Sequence, residues 1–178
     1  MPTSYIIGPS RNKNCTVLIV CYLVGENGTI LLPPDLGWTL NQKECKKFYE
    51  TTAAHLLAGD IFPITCSIAD LNYHHIIFVR LGMDNMQQSV YDCLQCASTI
   101  SNAQVFLPLF YLGSKEPIDN CIAQKTIEGT AQFELKTHSP MNTFIGLSEK
   151  FIQAALFMQE NDIPFMGKWV PERREFLI

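Results

Sequence analysis

The stretch AQVFLPLFYLGSKEPIDNCIAQKTIEGTAQF, Ala103 to Phe133, contains an apolar run, a short loop around Gly113, a proline and then helical spacing. Gln104 to Phe110 reads as a buried strand, and Pro117 opens a helix from Ile118 to about Thr130. A strand that hands over to a helix N-terminus through a glycine loop presents unpaired N–H groups and a positive dipole end, a combination that suits a phosphate. The residues placed to face such a ligand are Phe110, Tyr111, Leu112, Gly113, Ser114 and Lys115. Ser114 can bond a phosphate or cap the helix, Lys115 supplies a mobile cation, and Glu116 opposes an anion.

Outward from this joint the pattern repeats. Thr16 to Val24, TVLIVCYLV, is β-branched and continuously apolar, as expected of a strand covered on both faces; a turn at Gly25–Gly28 leads to a short returning strand, Thr29–Leu32, that Pro33-Pro34 ends. Thr39 is placed to cap a helix running to about Leu57, which Ala58-Gly59-Asp60 closes. Ile61–Thr65 is a short extended piece in which Pro63 favours an edge. Strands follow at His75–Leu81 and Thr143–Leu147, and helices at Met86–Ile100 and Ser148–Glu160. Such alternation predicts an α/β protein, a three-layer α/β/α sandwich with a mostly parallel central sheet. The expected organisation is an extension over 1–14, the domain over 15–160, and an irregular tail over 161–178 pinned to it by Trp169 and Phe176.

Composition narrows the function classes. The 178 residues are 47% hydrophobic and 17% charged, enough for one sizeable core, and a formal charge of -4 with scattered Lys and Arg gives no basic stripe for a broad nucleic-acid surface. Seven cysteines at irregular spacing predict reduced thiols and an intracellular, cytoplasmic or nuclear, location; no signal peptide or membrane span is read from the apolar runs. Cys93 and Cys96 form a C-x-x-C in mid-helix, where helix packing explains them better than zinc or redox chemistry. His74 and His75 alternate at a strand entrance and point to opposite faces, and no G-x-S-x-G elbow is present. No metal or cofactor is expected, and Asp60, Asp70, Asp84 and Asp119 read as caps and turn residues.

Pro108-Leu-Phe-Tyr-Leu-Gly113, closed by Pro117, resembles the second phosphate-binding loop of macro domains. Ala58-Gly59-Asp60-Ile-Phe-Pro-Ile-Thr65 with Tyr73-His-His-Ile-Ile77 is similar to the stretch that leads into the family's central strand, and Asn142–Leu147 with the Ser148 helix is similar to its last strand and helix. The resemblance covers Leu57 to Glu160. A second alignment makes Gly59-Asp60-Ile61 the family's early G-D-I, whose aspartate contacts adenine, but leaves too few residues between Ile76 and Pro108. Arg80-Leu81-Gly82 is also similar to the macro-like N-terminal domain of leucine aminopeptidases, which is not the catalytic one.

Family members that bind or hydrolyse ADP-ribose carry an asparagine-rich segment and a first glycine-rich loop, and between Thr16 and Leu57 this chain has neither. The second loop is one residue short, with Lys115-Glu116 where a glycine and an aromatic are expected. The resemblance therefore implies a non-catalytic binding or interaction module with residual affinity for ADP-ribose, a nucleotide or RNA phosphates at the loop around Gly113, with Asp60 a further ligand contact. The alternatives are a small hydrolase of ADP-ribose esters or phosphorylated nucleotides using Asp60 or His75, and a structural protein with an abandoned pocket that binds a protein partner or forms a homodimer.

Overall fold

A computed structural model describes residues 3–82, 84–112, 120–163, 168–170, 172–173 and 175–177. Its sheet is built from β1 (Thr3–Ile7), β2 (Val17–Val24), β3 (Ile30–Leu31), β4 (Ile61–Thr65), β5 (His75–Arg80), β6 (Gln104–Pro108) and β7 (Asn142–Leu147). The order is β1-β7-β6-β2-β5-β4, with β3 paired to β2. Every pair along this order is parallel except β4 on β5, and β3 returns antiparallel as a hairpin. The helices are α1 (Lys43–Thr51), α2 (Met86–Ser98), α3 (Asn120–Thr137) and α4 (Glu149–Glu160).

Strand β2 shows why the chain makes three layers. Val17 through Tyr22 are all buried, and their side chains alternate across the sheet. Val17, Ile19 and Cys21 enter a core with Val90, Cys93 and Leu94 of α2 and Phe133 of α3. Leu18, Val20 and Tyr22 enter a second core with Cys45 and Phe48 of α1. A third core packs Ile145 and Leu147 of β7 against Ala123 and Ile127 of α3 and Phe151 and Ala155 of α4. Each fully buried Val, Leu or Ile contributes about 1.5–3 kcal/mol, so the uninterrupted apolar run of β2 anchors both faces at once.

The first residues depart from expectation. Thr3–Ile7 lie inside the domain as edge strand β1, in parallel register with Thr143–Leu147, and the Thr3 hydroxyl donates to the Glu134 carboxylate on α3. Tyr5 and Ile7 pack on the third core, which rewards the strand although nothing local in TSYII announces it. The helix expected from Thr39 begins later. Residues Pro34–Asn41 wind as a 3-10 turn, and Gln42 caps α1 through its side-chain oxygen and the Cys45 N–H, 2.8 Å apart. Thr39 is buried instead, donating to Leu36 O at 2.6 Å and bonded to the Tyr49 hydroxyl at 2.7 Å. In place of an irregular tail, β8 (Lys168–Val170) and β9 (Glu175–Leu177) pair antiparallel, with Trp169 opposite Phe176. Pro117 and Ile118, the expected opening of α3, lie outside the described residues.

At the far edge, Pro63 of β4 has a simple role. Cys66 N bonds His74 O and Arg80 N bonds Asp60 O, so the even-numbered residues of β4 face β5 and the odd ones face outward. The donor that Pro63 lacks is therefore one that solvent would have taken, and the strand edge is blunted against further pairing.

Helices α2 and α3 meet at Gly129, where a Cβ would lie 2.8 Å from Gln87 O and 2.9 Å from Val90 Cβ. Gln87 Nε2 also donates to Gln132 Oε1 at 3.0 Å across the same contact. Overpacking a contact of this kind costs about 1–3 kcal/mol, more than the roughly 1 kcal/mol that alanine gains over glycine in a helix. Gly129→Ala is thus expected to lower the urea midpoint despite its better helix propensity; a raised midpoint would show that the helices separate freely.

Candidate functional site

At the carboxyl edge of the sheet the ends of β1, β7 and β6 stand side by side, the position at which open α/β sheets form crevices. A cleft of about 410 Å³ opens there. Gly8 and Pro9 come from the end of β1, Pro108, Leu109 and Tyr111 from the end of β6 and the residues just after it, Gly146 from β7, and Ser148, Glu149 and Lys150 from the start of α4. Pro33, Pro34 and Asp35 close it from the segment after β3. Four prolines on one cleft give preformed walls with little backbone freedom to lose on binding.

The floor depends on two close approaches of backbone. Leu109 N bonds Gly146 O at 2.8 Å and Gly8 N bonds Leu147 O at 3.2 Å, carrying both ladders past the strand ends. A Cβ on Gly146 would lie 2.5 Å from Cε1 and Cζ of Phe106, so the buried ring covers the space a side chain would take. Gly8 has φ 151°, a conformation that L side chains rarely adopt, which lets β1 turn off the sheet into the cleft wall. Tyr111 stands edge-on to Phe151 at 5.6 Å and 77°, a contact that fixes its ring beside the cleft. Ser148 caps α4 by accepting from Phe151 N at 3.1 Å.

Behind Asp35 lies a buried polar cluster. Ser10, fully buried, donates its N–H to Asp35 Oδ2 at 2.8 Å and its hydroxyl to Asp35 O at 2.9 Å. Its hydroxyl also accepts from Trp38 Nε1 at 2.7 Å, and its carbonyl accepts from the Tyr73 hydroxyl at 2.6 Å. Trp38 stacks on Tyr73 and also carries the Arg11 guanidinium over its ring, 5.1 Å from the ring centre. The cluster holds the exit of β1 against residues 35–38. Burial pushes the Asp35 carboxyl above its usual range, and the bonds from Ser10 hold it back.

The expected site residues divide. Tyr111 lines the cleft. Phe110, expected to flank a sugar or base, is instead 5% exposed and packed in the core between the sheet, α2 and α3. The two residues alternate, and the chain direction that brings Tyr111 outward sends Phe110 in. Leu112 is exposed and lies outside the cleft lining. Gly113, Ser114 and Lys115 lie outside the described residues. Asp60 immediately precedes the edge strand β4, three strands across from β6, roughly 14 Å at ordinary strand spacing. Its Oδ2 accepts from Leu57 N at 2.9 Å, the work of a turn residue. His75 begins β5 and so sits at the opposite, amino edge of the sheet. A hydrolase built on Asp60 or His75 therefore lacks its water-activating group at this cleft.

What the sequence missed is the other half of the lining: Gly8, Pro9, Asp35 and Gly146. Pro33-Pro34 is legible as the end of a hairpin, but it is the bonding of Asp35 to Ser10, just after β1, that brings this segment to the cleft. At the end of β2, Tyr22 is fully buried and donates its hydroxyl to Ala53 O at 2.7 Å, so aromatic and aliphatic side chains fill that strand end. Burial pushes the Cys15 thiol and the half-buried Cys66 thiol up to about 11 and Cys21 and Cys45 up to about 12, away from the reactive thiolate form. Among the described residues no group of three or more His, Cys, Asp or Glu could hold a metal ion, and no helix is long and apolar enough to cross a membrane.

No protein-family model and no curated protein matches the sequence. Solved structures do match the fold. A macrodomain of Trypanosoma brucei superposes with a TM-score of 0.60 at 11% identity, over 91% of this chain and 67% of that one. A mutant of the Oceanobacillus iheyensis macrodomain, solved with ADPR, gives 0.57 at 12% identity over 89% and 94%. The macrodomain of Mycobacterium tuberculosis DarG gives 0.55 at 15% over 81% and 96%. The chain has a divergent macrodomain fold, as the resemblance of its Pro108–Gly113 stretch implied.

Proposed function

We propose that this chain is a non-catalytic binding module that takes ADP-ribose or a related nucleotide in the cleft between the ends of β1, β6 and β7. The observation that carries the reading is the cleft itself: a preformed, proline-walled crevice of about 410 Å³ at the carboxyl edge of the sheet, with Tyr111 on one side and Lys150 on another. Tyr111 flanks a sugar or base, Lys150 meets a phosphate, and the loop through Gly113, Ser114 and Lys115 contributes its N–H groups. The solved relative with ADPR supports the ligand class. Asp60 and His75, the residues on which the hydrolase alternative rests, stand away from the cleft.

Calorimetric titration of ADP-ribose tests the reading. Binding in the micromolar to millimolar range is expected, with Tyr111→Ala weakening it about tenfold, the value of one stacking contact of about 1–3 kcal/mol. Absence of heat at millimolar ADP-ribose, with the fold intact by circular dichroism, would overturn it.

A further inference from the structure

The order β1-β7-β6-β2-β5-β4 runs outward in both directions from the pair β2 and β6. The topological switch point, where open α/β sheets bind their ligands, therefore lies between those two strands. In this chain the carboxyl edge beyond it is filled. Residues 53–59 are laid across the ends of β2 and β5: Ala53 O accepts from the Tyr22 hydroxyl at 2.7 Å, Ala54 O and Leu56 O accept from the Arg80 guanidinium, and Gly59 N donates to Arg80 O at 2.7 Å. Gly82, just past β5, lies so close to this segment that a Cβ on it would stand 2.6 Å from Ala58 Cβ. On the side of α2, Leu81, Met86 and Phe110 close the same edge, each at most 5% exposed and packed in one core.

The cleft of about 410 Å³ is accordingly displaced to the ends of β1, β7 and β6. Three strands cover two strand spacings, about 10 Å, room for a nucleoside and the phosphates next to it. A longer ligand continuing toward β2 and β5 meets hydrogen-bonded backbone and close-packed side chains, which give way only by opening the core.

We infer that the cleft is selective for the nucleoside diphosphate alone and leaves the group beyond it outside, so that the distal ribose of ADP-ribose contributes nothing to binding. This rests on the nucleotide reading above and narrows its ligand class, from ADP-ribose as a unit to any ligand that presents a nucleoside diphosphate. A group that makes no contact with the protein can be removed with little change in affinity.

Calorimetric titrations of ADP-ribose, ADP and ribose 5-phosphate on the full chain test this, with backbone amide shifts recorded for the first two. ADP is expected to bind within about fivefold of ADP-ribose, a difference of less than one decade in Kd. Ribose 5-phosphate is expected to give no heat at millimolar concentration, and the amides of residues 53–59 to stay unmoved with either nucleotide. A larger preference for ADP-ribose, binding of ribose 5-phosphate, or shifts at residues 53–59 with ADP-ribose and not with ADP would overturn the inference and leave the nucleotide reading standing. Binding of neither nucleotide would overturn both.

Discussion

Gly146→Val is expected to destabilise the fold by about 3 kcal/mol and to eliminate ligand binding together with stability, because the new side chain enters space held by Phe106. Even a single Cβ there would stand 2.5 Å from two ring atoms. Phe106 is fully buried in the core shared with Leu18, Val20 and Phe78, so its ring has little room to swing away. At a urea slope of about 2 kcal/mol per molar the midpoint falls by about 1.5 M. Trimming the ring relieves the clash, and the double variant Gly146→Val with Phe106→Leu is expected to recover part of the loss although each change alone is destabilising. Such a negative coupling identifies the contact as the cause. Additive losses in the double variant would place the damage elsewhere in β7.

Phe78→Ala carries the other large effect. Phe78 is fully buried at the centre of β5 and stacks on Phe48 of α1 with centroids 3.8 Å apart and planes 16° from parallel. Tyr49 meets it edge-on at 5.4 Å. Removing the ring takes away a main contact between α1 and the sheet, beside those of Phe48 with Tyr22 and Phe62, and a buried phenylalanine replaced by alanine costs about 3–5 kcal/mol. Against a total stability of roughly 5–15 kcal/mol for a domain, the variant is expected to be marginally folded at about 37 °C, with its thermal midpoint well below that of the wild-type chain. A loss under about 1 kcal/mol would mean that α1 collapses onto the vacated space, and that the second core is looser than its aromatic packing indicates.

The central strands were legible because their residues are buried on both faces and so read as continuous apolar runs: Val17 to Tyr22, Ile76 to Val79 and Val105 to Leu107. The helices α2 and α4 were legible from spacing, and α4 also from its Ser148 cap. Strand β1 was not. It is a half-buried edge strand whose partner, β7, lies near the other end of the chain, and no local pattern encodes that pairing. The start of α1 was misplaced for a different reason: Thr39 is a good capping residue that found a better use, bonding Leu36 and Tyr49 in the core. The site followed the same division. Tyr111, on the cleft lining, belongs to a strand-loop-helix joint that leaves a sequence trace, whereas Gly8 and Gly146 meet through the order β1-β7-β6 and Asp35 through its bonds with Ser10. Phe110, expected to face a ligand, is buried because alternation sends neighbours opposite ways without fixing which one enters the core.

Backbone amide chemical shifts recorded during an ADP-ribose titration test the proposed placement of the ligand between β1, β6 and β7 most directly. Saturable shifts are expected at Gly8, Asp35, Tyr111, Gly146 and Lys150, with Gly59, Asp60 and His75 unmoved. Shifts centred on Asp60 and β4, or none at any ligand concentration, would contradict it.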